Sequence, residues 1–155
     1  MTLLAQARRA ALHGLDRAGH LLSIGTQADL LDGRLATDMM PFADQIAITG
    51  SFARRAVLGL VDPNLSTDLD WQPDSVAPLL TAIRAEIDAA TGPVLPAIHH
   101  RAGEADLTQS PEDFLHLFAL PNMWFHLTAA YAILRANGVA LGKADFDGLH
   151  RYGPA

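Results

Sequence analysis

One histidine in the second half of the chain sits where its chemistry needs an explanation. The stretch LPNMWFHLTAAYAILRANG, from Leu120 to Gly138, is almost free of charge yet holds His126. A neutral imidazole offers one N–H and one lone pair, so it can act as general base, metal ligand or hydrogen-bonded core residue. Buried without a partner it would cost about 1–3 kcal/mol, so a partner is expected. Asp38 is the natural one, a carboxylate near the expected start of the second helix. Such a pair would fix the tautomer and raise the imidazole pKa, opposing the lowering caused by burial. Gln45 lies seven residues beyond Asp38, two helical turns on, and so shares its face. Asn122 and Tyr131 flank His126; the first reads as a turn or cap residue, the second as packing against another helix. His126, Asp38, Gln45, Asn122 and Tyr131 are the candidate pocket. The residues leave three readings open for it: a structural tie, a pocket for an organic ligand, or a metal site.

The other histidines carry weaker signals. His13 and His20 are seven apart and share a helix face, too far apart for one ion, so solvated or edge positions are expected. His99 and His100 are adjacent, follow Pro96 at an expected helix end and point apart; His116 lies on the far side of Pro121 from His126, and His150 is in the tail. Gly138 to Lys143 imitates a phosphate loop. It lacks the first glycine and the Ser or Thr after the lysine, and it follows a helix instead of a strand. Lys143 and Asp145 are expected to pair locally. No serine sits in a nucleophile-elbow frame.

Several classes of partner are disfavoured by composition. A net charge of −6 over 155 residues argues against nucleic acid, which needs clustered Lys and Arg. The pairs Arg8-Arg9 and Arg54-Arg55 read as solvated faces. The chain has no cysteine, hence no disulfide and no thiolate chemistry, and a cytoplasmic home is expected. The N-terminus lacks the order of a secretory signal. Phe114 to Leu134 is free of Asp, Glu, Lys and Arg, but His116, Pro121, Asn122 and His126 are costly in lipid. A buried central helix is expected, with no membrane partner.

The elements follow from periodicity and stop signals. Leu4, Ala7, Ala11, Leu15 and Leu22 give a first helix over residues 3–24. A second is expected from Thr37-Asp38, with Pro41 in its first turn, to Leu60. A polar linker follows, in which Trp71 is expected to tack the chain to the body. The third helix starts near Pro73 to Ser75 and carries the stripe Leu79, Leu80, Ile83 and Ile87. Gly92-Pro93 breaks it, Val94 to His100 reads as a further helical turn, and Ala105 to Thr108 as extended. Ser110-Pro111-Glu112-Asp113 starts a short helix, a bend is expected at Pro121, and the last long helix runs from Met123 to Ala136. Asn137-Gly138 stops it, and an irregular tail reaches Ala155. The sum is a single all-α domain over residues 1–155: a four-helix bundle with a short extra helix before the last long one.

Two segments carry a resemblance. RLATDMMPFADQI, Arg34 to Ile46, followed by LPNMWFHLTAAYAILRANGVALGKADF, Leu120 to Phe146, resembles an uncharacterised branch of the DinB/YfiT-like superfamily. The resemblance implies a DinB-type four-helix bundle, usually a homodimer. Many superfamily members hold a divalent metal with one histidine of helix two and a His-x-x-x-His pair of the last helix, and some transfer small nucleophiles. Here Ala130 follows His126 by four residues and Asn122 precedes it by four, and helix two has no histidine between Thr37 and Leu60. No metal or other cofactor is therefore predicted. The expected function is a ligand-binding or structural module. The alternative is a metal-dependent or histidine-based transferase acting on a small molecule at His126 and Asp38.

Overall fold

The computed structural model describes residues 1–151 and 153; Tyr152, Pro154 and Ala155, the end of the expected irregular tail, lie outside the described residues. Among the described residues the chain is mostly helical. Helix α1 spans Leu3–Gln27 and is capped by Thr2, whose hydroxyl accepts the Ala5 N–H at 3.3 Å. Helix α2 spans Phe42–Leu58, and a 3-10 turn at Pro73–Ser75 leads into α3, Val76–Ala89. Helix α2 is the centre, touching α1, α3 and the last long helix. Its apolar stripe of Phe42, Ala43, Ile46, Ala47, Ala53, Ala56 and Val57 is wholly buried. So many alanines let the axes approach closely. Gly25 of α1 takes this furthest, since a Cβ there would meet the Phe42 ring at 2.2 Å.

The second helix starts later than the sequence suggests. A helix from Thr37 or Asp38 would need helical geometry at Met40, which Pro41 disfavours. Pro41 instead stands extended at the N-cap, with φ −67° and ψ 166°. The N–H groups of Phe42 and Ala43 are satisfied by the carbonyls of Gly33 and Leu31 at 2.8 and 3.0 Å. Trp71 tacks the linker down as expected, donating Nε1–H to Asp44 at 2.9 Å.

The all-α expectation needs one correction. Val94 to His100 is not a helical turn, because Pro93 and Pro96 deny it backbone donors. The Leu95 N–H reaches back to the Leu60 carbonyl at 2.8 Å. The chain then forms a two-stranded antiparallel sheet, β1 at Ile98–Ala102 and β2 at Ala105–Gln109, with Ile98 opposite Gln109 and Ala102 opposite Ala105. Gly103, with φ 62°, takes the left-handed position in the turn.

Nor does the last long helix begin at Met123. A helical turn α4, Pro111–Asp113, runs through a π segment, Phe114–Ala119, into α5, Leu120–Ala136. Ser110 caps it, its hydroxyl accepting the Asp113 N–H at 3.1 Å. In α-helical register Pro121 would crowd the carbonyl four residues back and leave it without a donor. The wider turn relieves this: the Leu120 N–H bonds to Leu115 O, five residues back, and Leu120 keeps φ −66° and ψ −44°. By length and a mean hydropathy of 1.3 the continuous helix Pro111–Ala136 could cross a membrane. Here it sends Met123, Leu127, Ala130, Ile133 and Leu134 into the core.

Asn137 and Gly138, φ 82°, stop α5. The tail is not wholly irregular, since α6 occupies Lys143–Asp147. Lys143 and Asp145 do not pair. Asp145 instead accepts the Gly142 N–H at 2.9 Å and meets His20 Nε2 of α1 at 3.0 Å, so His20 is a docking residue and not merely solvated.

Candidate functional site

Only two side chains with strongly polar character are fully buried among the described residues, Gln45 and Thr49. They stand four apart on α2 and so on one face, turned toward α5. The Thr49 hydroxyl bonds back to the Gln45 carbonyl at 2.8 Å and is satisfied within its own helix. The Gln45 side chain is left to face α5, where it meets His126.

His126 Nδ1 lies 2.7 Å from Gln45 Oε1. Gln45 Nε2 donates to the Met40 carbonyl at 3.3 Å, which can only accept, so the amide orientation is set. His126 Nδ1 therefore carries the proton and donates it, and Nε2 keeps its lone pair. The imidazole also stacks on Phe52, with centroids 5.8 Å apart and planes 13° from parallel. Burial pushes the His126 pKa below its ordinary value. With a neutral amide as partner, nothing raises it again.

Two of the five predicted residues come together and three do not. Asp38 lies exposed in the loop before α2 and does not reach His126, because the helix it was expected to cap begins only at Phe42. Asn122 turns back along its own helix, its Nδ2 donating to Phe118 O at 2.7 Å beside the π segment. Tyr131 packs edge-on against Phe146 of α6 at 5.8 Å. His116 is exposed as well. The donors around His126 thus do not fit the three-histidine metal site that the resemblance implies. One imidazole, already holding an amide, faces Gln45 and Thr49 across the interface, and Ala130 stands where the second helical ligand would be.

Beyond Phe52 lies a layer that sequence reasoning missed. The Arg55 guanidinium sits 5.0 Å from the Phe52 ring centre and 4.8 Å from that of Phe118. Phe118 in turn packs on His100 at 4.2 Å and on Phe114 at 5.8 Å. The π segment supplies Phe114 and Phe118; β1 supplies His100. Strand alternation sends His100 inward, where its Nε2 meets Gln109 Oε1 at 2.7 Å, and His99 outward to the Thr108 hydroxyl at 2.8 Å. Arg55 was expected on a solvated face, and so was Arg54. Arg54 is instead paired with Glu86 of α3 at 2.7 Å. The one available signal was the spacing of Phe52 and Arg55, three apart on a helix.

A crystal structure of a DinB family member protein from Shewanella denitrificans is similar to this chain, with a TM-score of 0.66 and 20% identity over 98% of this chain and 93% of that one. At that identity the likeness establishes the fold alone. A comparison with curated proteins finds no match. The sequence pattern of the domain of unknown function DUF1993 matches residues 2–147, nearly the whole chain, and so the protein belongs to the DUF1993 family, an uncharacterised branch with the DinB fold.

Proposed function

We propose that this chain is a ligand-binding module built on a four-helix bundle of α1, α2, α3 and the Pro111–Ala136 helix, and that it works without the superfamily's three-histidine metal. One observation carries this reading: the 2.7 Å bond from His126 Nδ1 to Gln45. It ties α2 to α5 with a neutral, tautomer-fixed imidazole, in the place where related folds gather histidines. Pairing of two copies and a cytoplasmic setting belong to the same reading; the first is supported by the exposed Phe125 of α5 beside the exposed Leu35, the second by a sequence without cysteine.

Metal content and stability test it together. Protein prepared without a histidine tag or chelator is expected to hold far less than one transition metal per chain. His126→Ala should fold and lose about 1–3 kcal/mol, because the buried Gln45 Oε1 is left without its donor. Near-stoichiometric metal that disappears in His126→Ala would sink the reading in favour of a metal-dependent transferase.

A further inference from the structure

Within the ligand-binding reading above, we propose that a cavity beside Arg55 binds the carboxylate or phosphate group of a small metabolite. The cavity measures about 250 Å³ and lies between the end of α2, the following linker, β1 and Phe114. Its wall includes Arg55 and a single carboxylate, Asp62; of the other basic residues beside it, His99 turns outward to Thr108 and Arg101 is paired with Asp106. Asp62 Oδ1 already accepts the Asn64 N–H at 2.9 Å.

Arg55 lacks the carboxylate partner that three other arginines of this fold have. Arg54 has Glu86, Arg84 has Asp16 and Arg101 has Asp106, but Arg55 has no carboxylate within ion-pair distance among the described residues. Of its five N–H donors one is engaged, from Nη2 to the Arg101 carbonyl at 3.3 Å. It is half-buried, and burial pushes its pKa down, the mark of a cation taken from water without full compensation. The guanidinium is held against the Phe52 and Phe118 rings, and its remaining N–H donors can serve a two-oxygen acceptor.

His100 packs on the same wall, against Phe114 and Phe118. His100 Nδ1 is buried with no hydrogen-bond partner, although Nε2 is held by Gln109. Such an atom is rare in a settled interior. Leu65, Leu95 and Ile98 form the apolar part of the wall and suit a short carbon chain.

Calorimetric titration of the full chain, with sodium phosphate and separately with sodium lactate at ionic strength matched by chloride, tests this. Saturable binding of at least one anion is expected, with chloride giving none. Arg55→Met keeps an apolar stem against the rings and should weaken binding at least about tenfold, the loss of a charge-assisted hydrogen bond. Ala97→Phe fills the cavity without touching the arginine and should do the same, so it decides the matter if Arg55→Met does not fold. Phosphate without lactate marks a phosphate-bearing ligand, the reverse a carboxylic acid, and both a site that reads charge alone. No saturable binding of either up to about 20 mM, or unchanged binding in folded Ala97→Phe, overturns the proposal. Either result is independent of the metal content at His126.

Discussion

At the scale of single residues, His126 shows how a partner's charge decides what a histidine does. A carboxylate would have held the imidazole ready to protonate, whereas the Gln45 amide leaves burial to act alone. Burial lowers the folded-state pKa from the ordinary value of 6.5. Between that lowered value and 6.5 the unfolded chain binds a proton that the folded chain does not. The contribution to stability is therefore whole above 6.5 and is lost as pH falls below it. His126→Asn keeps a donor for Gln45 Oε1 but cannot titrate. The urea midpoint of the wild type should fall relative to that variant between about pH 8 and about pH 5. Parallel curves would mean that His126 does not titrate differently in the two states. His126 and Gln45 were both legible in the sequence as polar residues in apolar segments. The sequence also set Gln45 opposite His126; what it misplaced was Asp38, because the Met40-Pro41 step denies α2 its earlier start and leaves Asp38 outside.

At the scale of elements, helix ends were more legible than the segments between helices. Ser110, Pro111 and Asn137-Gly138 act locally, so their roles follow from neighbouring residues alone. Of the β1–β2 hairpin, the extended reading of Ala105 to Thr108 holds as β2, whereas β1 was missed because His99, His100 and Arg101 carry little strand preference and their pairing partners are set by the turn at Gly103. The π segment was missed because Pro121 usually ends a helix and here only widens one. Helix α6 was missed because its anchor, His20, lies on α1. That anchor gives the prediction at this scale. The Gly142 N–H, and after it His20, holds the Asp145 carboxyl below its ordinary value of 3.8. Docking is thus fully supported above 3.8 and weakens as pH falls through the lower folded value. Asp145→Asn removes the charge facing His20 at all pH values. Amide exchange over residues 143–147 should be faster in this variant at neutral pH, with α1 and α2 unchanged; equal exchange would show that His20–Asp145 does not hold α6.

At the scale of the whole molecule, the polar and apolar surfaces of α5 divide its work. Its inner face closes the core over α2, and the layer of Phe52, Phe118, Arg55 and His100 continues from that contact to the cavity. Its outer face is unusually apolar: Phe125 is 60% exposed and Leu35, from the loop before α2, 46%. These two, with Met39, Trp124 and Ala129, line one continuous shallow groove. Scattered exposed apolar residues need no explanation, but a contiguous set containing aromatic side chains is a candidate contact surface. A second copy of the chain is the occupant that the family resemblance implies, and a two-fold pairing would set like faces of α5 together. Sedimentation velocity is expected to give a dimer for the wild type at about 50 µM and a monomer for Phe125→Glu, with the helical signal of both unchanged. The variant places a charge in the centre of the contact, where its desolvation has no compensating partner. A monomeric wild type at that concentration, or a dimer unaffected by Phe125→Glu, would place the pairing surface elsewhere or remove it, and neither result would alter the cavity at Arg55, which shares no lining residue with this groove.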